Sequence, residues 1–356
     1  MTKLSLTCNC GANNIDFKHS EPLPLRTDRP AYLCPCDTCR FGTGFLATLL
    51  VDIPKKWINL PHAHLGKTST YKTEHHGTKY FCSNCGSGLY YALDEILTIY
   101  LPALRLDGKL PTISPGLARI VSLPTGNALK SSISSFLRTA VSHPHITSED
   151  QEDKHPSDTL NGTCLCRSTK IEIRRPPADY MKDPILKEWV YPPHASNTEH
   201  GKPRLAVGLC HCHSCRLGSS TPFYAWIFTP RPLLTVTGDK IKAYDSAPEK
   251  GVRRRFCGEC GSQVTFSRRD DMWDVSCALM DLEELKDGRW ARWSFKEVGE
   301  MEAVKRRPAD NYIEGWTEGR DCYTDFGKEW WGELVGTVRD VANDLKQGNA
   351  PVVARA

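Results

Sequence analysis

Residues 34–40 read Cys34-Pro35-Cys36-Asp37-Thr38-Cys39-Arg40, and residues 210–216 read Cys210-His211-Cys212-His213-Ser214-Cys215-Arg216. Both strings are C-x-C-x-x-C-R, and they stand 176 residues apart. Working outward, each is preceded by a C-x-C pair, Cys8/Cys10 and Cys164/Cys166, and followed by a C-x-x-C pair, Cys82/Cys85 and Cys257/Cys260. The flanks repeat as well. Phe81-Cys82 with Cys85-Gly86-Ser87 matches Phe256-Cys257 with Cys260-Gly261-Ser262, and Ala103-Leu104 matches Ala278-Leu279, all at an offset of 175. Seven cysteines recurring in order and in register mark an internal duplication. Only Cys277 and Cys322 fall outside it.

The 356-residue chain has room for two or three domains, and its 40% hydrophobic and 25% charged composition is that of ordinary globular cores. Sixteen cysteines in that length lie well below the density of a disulfide scaffold. A formal charge of +4 is too small to argue for a nucleic-acid partner. Residues 1–20 show no basic segment followed by an apolar one, and the apolar run Phe45–Ile53 is too short to span a bilayer. The expected setting is therefore a reducing, cytoplasmic one, where cysteines hold metal or do chemistry. Lys305-Arg306-Arg307 is too short to count as a nuclear signal, although a nuclear location stays open.

Around the cysteines the pattern is mainly β. Ile15-Asp16-Phe17, Ile171-Glu172-Ile173, Phe223–Phe228 and Leu233–Val236 are short β-branched or aromatic runs bounded by Gly and Pro. The Cys8-to-Cys164 offset is only 156, so the second copy holds an insertion, placed in the Pro-rich stretch 174–203 and expected to be an irregular surface loop. Leu129, Ile133, Phe136, Leu137 and Ala140 predict a short helix, and the polar tract after them a linker. Trp331, Leu334, Val338, Val341 and Leu345 predict an amphipathic helix stopped by Gly348 and Pro351. The expected organisation is a zinc domain at 1–125, helix and linker at 126–159, a second zinc domain at 160–325, and a terminal helix and tail at 326–356.

Seven thiols per copy cannot close as disulfides alone, and alternate residues of a strand point to opposite faces, which disfavours a bridge within C-x-C. Zinc takes four ligands at a closed site and three at an open one. The C-x-C and C-x-x-C pairs can together supply four thiolates, which leaves C-x-C-x-x-C as a three-thiolate cup with one open position.

Both halves resemble the GFA family, which includes glutathione-dependent formaldehyde-activating enzymes and centromere-protein-V-like proteins. The resemblance spans roughly residues 4–120 and 160–290 and rests on the three cysteine signatures. It implies a β-tent fold of small coiled antiparallel sheets in each copy, a structural and a catalytic zinc per domain, and carbon–sulfur lyase activity. By this resemblance the structural ligands are Cys8, Cys10, Cys82 and Cys85, then Cys164, Cys166, Cys257 and Cys260. The open catalytic sites are Cys34, Cys36 and Cys39, then Cys210, Cys212 and Cys215. A zinc-held thiolate can add to a small carbonyl carbon, so the expected reaction joins a thiol such as glutathione reversibly to a small aldehyde. The alternative is a non-catalytic zinc module that binds protein or chromatin, its cup vestigial or closed by an internal ligand. A thiol-rich redox or metal buffer is a third class, against which the ordered spacing counts.

Other residues are weaker candidates. Arg40 and Arg216 could clamp a ligand carboxylate, but hydrogen bonding to loop carbonyls is the simpler role. His211 and His213 have Pro35 and Asp37 in their places in the first copy, and His75-His76 have Glu249-Lys250 in the second. Neither pair is therefore expected to serve both copies. Arg253-Arg254-Arg255 reads as a solvated basic edge, and Cys277 and Cys322 as buried structural thiols.

Overall fold

The computed structural model describes residues 2–19, 31–34, 36–45, 48–57, 67–74, 76–106, 118–120, 157–193, 201–210, 213–220, 224–247, 251–281, 284–285 and 290–294. The helices expected at 129–140 and 331–345, and Cys322, lie outside these residues. What is described is mainly β, as expected.

In the first copy β1 (Thr2–Thr7) lies between β2 (Asn14–His19) and β9 (Leu104–Leu106) in a three-stranded antiparallel sheet. A second sheet runs in the order β10 (Ala118–Ile120), β3 (Ala31–Cys34), β4 (Thr48–Pro54), β8 (Ile96–Tyr100), β7 (Gly88–Leu93), β6 (Thr78–Cys82), β5 (Thr68–Lys72). Only the β10–β3 edge is parallel. The apolar run 48–53 becomes β4, buried along almost its whole length at the middle of the sheet. Between β3 and β4 sits α1 (Asp37–Thr43), capped at its start by the Cys36 thiol and stopped by Gly44 at φ +80°.

The second copy repeats the plan. β11 (Thr159–Thr163), β12 (Lys170–Arg174) and β16 (Leu234–Thr237) form the small sheet. The large one runs β13 (Val190–Tyr191), β14 (Arg204–Cys210), β15 (Tyr224–Pro230), β20 (Met272–Ser276), β19 (Gln263–Arg269), β18 (Val252–Cys257), β17 (Ile241–Ala247). Parallel β21 (Ala291–Ser294) pairs with β14 as β10 does with β3. The strands expected from the Ile15, Ile171, Phe223 and Leu233 runs fall in β2, β12, β15 and β16.

The insertion departs from expectation. Its described residues are not wholly irregular: they include a 3-10 turn at Tyr180–Lys182, the single-turn α2 (Leu186–Trp189) and β13. Its prolines bracket an apolar set, and Tyr180, Leu186 and Val190 are buried in the second core. Trp189 packs on Phe228 at 5.1 Å, and the Asp183 carboxylate accepts from the Ile185 and Leu186 amides.

The two copies meet along a reciprocal seam. A Cβ on Gly86 would meet Phe256 at 2.5 Å, and one on Gly261 would meet Phe81 at 2.6 Å, so each copy's aromatic sits on the other's knuckle glycine. α1 packs on the 277–279 turn, and α3 (His213–Ser219) packs on the matching 101–103 turn. Arg40 donates to the Ala278 carbonyl at 2.6 Å, Gln263 to that of Cys85 at 3.1 Å, Ser220 to that of Gly88 at 2.9 Å, and Ser262 to that of Phe41 at 2.6 Å. Phe45 is buried within the second copy's core. This is the self-complementary geometry of a twofold dimer, built within one chain.

Candidate metal centres

The C-x-C and C-x-x-C pairs are carried by two copies of the same backbone device. Cys8 begins a tight turn in which the Gly11 amide donates to the Cys8 carbonyl and the Asn13 amide to its sulfur, at 3.1 and 3.3 Å. Arg167 and Thr169 do the same for Cys164, at 3.0 and 3.3 Å. At the far pair, the Gly86 amide donates to the Cys82 carbonyl and the Cys85 sulfur lies 3.2 Å from the Ser87 hydroxyl. Gly261, Cys257, Cys260 and Ser262 reproduce this arrangement. Two groups result, Cys8/Cys10/Cys82/Cys85 and Cys164/Cys166/Cys257/Cys260, each with its sulfurs within 4.8 Å of one another.

The cup forms where β3 gives way to α1. Cys34 ends the strand, Cys36 caps the helix and Cys39 lies in its first turn, so three sulfurs converge from one short stretch of chain. A fourth donor joins them. The hairpin tip after β5 is held by the Thr73 hydroxyl, which donates to the Gly77 carbonyl at 2.7 Å and accepts from the His76 amide at 3.0 Å. Gly77 supplies the φ of +69° that the turn requires. His76 Nε2 thereby reaches 3.1 Å from Cys36 Sγ and 3.9 Å from Cys39 Sγ, completing a group of four.

These groups fit zinc. A tetrahedron with zinc–sulfur bonds of about 2.3 Å and a zinc–nitrogen bond of about 2.0 Å has sulfur–sulfur edges of about 3.8 Å and sulfur–nitrogen edges of about 3.5 Å. Sulfur pairs lie at 3.5 and 3.7 Å in the first four-cysteine group, 3.4 Å in the cup, and 3.5 and 3.5 Å in the second four-cysteine group. All are far longer than a disulfide, and the described cysteines are free.

Proton sharing points the same way. A hydrogen bond from Cys85 holds the Cys10 thiol down at about 6, and one from Cys8 holds Cys82 at about 4, while Cys85 itself is pushed up. Cys260 holds Cys166 down at about 6 in the second copy. In the cup, Cys34 lowers Cys36 and raises Cys39, and the bond to Cys34 is the main cause lifting His76 to about 10. Four crowded sulfurs cannot all ionise together without a cation among them, which is the charge a divalent metal supplies.

The second cup is only partly placed. Cys210 ends β14 half-buried and Cys215 is buried in α3, whereas Cys212 and His211 lie outside the described residues. What stands at Cys215 is a cation: Arg254, 2% exposed, donates from Nη2 to Cys215 Sγ at 3.3 Å and lies over the Phe266 ring. The expectation of a solvated Arg253–Arg255 edge is corrected at this residue. In β18 Arg253 faces out, Arg254 faces in and Arg255 is half-buried over Trp273, because side chains of a strand alternate. The first-copy counterpart of Arg254 at the 175 offset is Lys79, 1% exposed, which donates to the Gly42 carbonyl at 2.6 Å and the Cys260 carbonyl at 2.8 Å.

The remaining expectations resolve simply. Arg40 is held by Asp37 and by the Ala278 carbonyl, the loop-carbonyl role. Cys277 is fully buried, its thiol pushed up to about 12 by that burial. Sequence reasoning missed His76, Lys79 and Arg254. His76 has no counterpart at the matching position, and it is a feature of one copy alone; strand alternation is the signal available for Arg254.

Each four-cysteine group is also lined by the opposite copy. Tyr71, opposite Lys79 in the β5–β6 register, packs on the second group. Tyr244, opposite Arg254 in the β17–β18 register, packs on the first copy's core and is pushed up to about 12, chiefly by burial and then by the Cys85 and Cys10 sulfurs. Among the described residues no helix is long and apolar enough to cross a membrane.

The family description "Glutathione-dependent formaldehyde-activating enzyme" (GFA) matches residues 3–106 and 196–292, together more than half of the chain. Its second segment begins at residue 196, near the end of the 174–203 stretch, and so leaves out Cys164 and Cys166, which the folded chain nonetheless brings back to Cys257 and Cys260. No curated protein matches the chain. With both copies matched, and with cysteine groups that could hold metal in each, the chain belongs to the GFA family.

Proposed function

We propose that the protein is a zinc-dependent carbon–sulfur lyase of the GFA type, joining a small thiol such as glutathione reversibly to a small aldehyde at a three-cysteine cup. The observation that carries this reading is the C-x-C-x-x-C string kept in both copies, at Cys34/Cys36/Cys39 and Cys210/Cys212/Cys215, beside a complete four-cysteine group in each. Zinc held in such a cup would keep an incoming thiol ionised near neutral pH. In the forward direction a bond forms between the thiol sulfur and the carbonyl carbon, and the thiol proton ends on the carbonyl oxygen; nothing is oxidised or reduced.

The chain's own residues set the surroundings. Cys34, Cys36 and Cys39, with Cys210, Cys212 and Cys215 in the second copy, are the proposed catalytic and metal-holding positions. The four-cysteine groups are the proposed structural sites, giving two zinc ions per domain. Beside the first cup, burial keeps Tyr91 and Tyr100 as neutral phenols, able to donate but not to carry charge. The second copy has Phe266 and Val275 at the same offset, both buried, which makes that neighbourhood the more apolar of the two. Buried Arg254 places a positive charge against the Cys215 sulfur. A cytoplasmic setting suits free thiols of this kind.

The test is consumption of aldehydes with a panel of thiols, using zinc-loaded wild type and the Cys36→Ser and Cys212→Ser variants. Acceleration lost in one variant assigns the working cup; no acceleration with any thiol sinks the proposal. A second reading, a zinc module that binds a protein or chromatin partner without catalysis, draws support from one observation: His76 stands where a substrate thiol would enter the first cup.

A further inference from the structure

We propose that His76 is the fourth ligand of the first cup, making it a closed site of three cysteines and one histidine with no position left for an outside thiol. The ligand assignment stands on its own geometry, and its bearing on an outside thiol rests on the function proposed above.

His76 Nε2 lies 3.1 Å from Cys36 Sγ and 3.9 Å from Cys39 Sγ, either side of the edge of about 3.5 Å expected of a zinc tetrahedron. The imidazole is not a stray surface ring that has swung in. Its backbone is fixed by the Thr73–Gly77 turn, and its ring is backed by Tyr91 at 5.5 Å. A metal-ligating histidine needs that kind of support to hold its ring in orientation. Four protein donors leave a tetrahedral ion with no vacancy, which is the arrangement of a structural site.

The second copy is built differently at the same place. Residues 246–251 of the second copy read Ser246-Ala247-Pro248-Glu249-Lys250-Gly251, with neither imidazole nor thiol. The buried side chain against Cys215 is Arg254, whose guanidinium cannot ligate a metal and instead offsets thiolate charge. Duplication has thus left the first copy with an imidazole against its cup cysteines and the second with a buried cation against Cys215.

The full chain loaded with cadmium-113 and labelled with nitrogen-15 histidine tests the ligand directly. A cadmium resonance coupled to the His76 ring nitrogen is expected, lost in His76→Ala and lost in His76→Cys, which restores a fourth donor and guards against a misfolded alanine variant. Coupling that is missing in the wild type, or that persists in both variants, overturns the assignment. Calorimetric titration of the zinc-loaded chain with glutathione counts open positions. His76→Ala is expected to bind one equivalent more than the wild type, and equal counts above zero in the two overturn the closed-cup proposal. None in either, with cadmium coupling intact in the wild type, leaves His76 a ligand and defeats the proposed thiol chemistry instead.

Discussion

Substituting alanine for Gly86 puts the reciprocal seam to a quantitative test. Gly86 sits at φ +75°, a conformation that costs an L-residue about 1–2 kcal/mol. Its new Cβ would also lie 2.5 Å from Phe256 Cγ and 2.7 Å from Gln263 Nε2, both across the seam. Forcing a methyl into a packed site adds about 1–3 kcal/mol, for a total of about 2–5 kcal/mol. Gly11 is the control. It has φ +71° and nothing within 4 Å of a built Cβ, so Gly11→Ala carries the conformational cost of about 1–2 kcal/mol alone. Phe256→Ala, by itself, empties a fully buried site and costs about 3–5 kcal/mol. If the Gly86 methyl collides with that ring, the double variant recovers the clash, and the cycle shows a coupling of about 1–3 kcal/mol. The assay is urea unfolding of the zinc-loaded full chain, followed by tryptophan fluorescence. A Gly86→Ala cost no larger than that of Gly11→Ala, or strictly additive losses in the double variant, would refute the seam as drawn.

Three further outcomes are expected. Lys79→Met strips a buried ammonium from the Gly42 and Cys260 carbonyls and should lower stability by about 1–3 kcal/mol for each acceptor left unpaired; a loss under about 1 kcal/mol in all by the same unfolding assay speaks against a bridging role. Cys277, buried and held protonated, should resist iodoacetamide in the native chain and react only with unfolding, as mass spectrometry of the labelled peptide will show; prompt native labelling contradicts its placement. Metal removal by a strong chelator should lower the thermal midpoint and break both copies together because the seam joins them; an unchanged midpoint by circular dichroism counts against thiolate-held metal.

Much of this was legible in the sequence because the cysteines carry their own grammar. Spacing together with the family resemblance paired Cys8/Cys10 with Cys82/Cys85, and the alternation around Ile171 and Ile173 placed β12. The parts that were not legible are those decided at long range or by one copy only. His76 belongs to a hairpin tip 40 residues from Cys36, and reasoning from repeat to repeat removes any residue the repeats do not share. Arg254 is hidden inside a run of three arginines, where composition suggests a solvated edge but the pleat turns the middle one inward. The insertion at 174–203 reads as irregular because its prolines dominate, while Tyr180, Leu186 and Val190 between them decide that it folds. The Phe256–Gly86 contact pairs residues that neither motif marks as partners.

The lining of each four-cysteine group by a tyrosine of the opposite copy has a consequence in time. Ribosomes make the chain from the N-terminus at roughly 5–20 residues per second. Tyr244 follows Cys85 by 159 residues, so the first group waits on the order of ten to thirty seconds for its cover. The second group never waits, since Tyr71 is already made when Cys260 emerges. The nascent chain thus offers one bare thiol cluster to the cell's metal supply well before the other exists, and the order of loading is written into the order of synthesis.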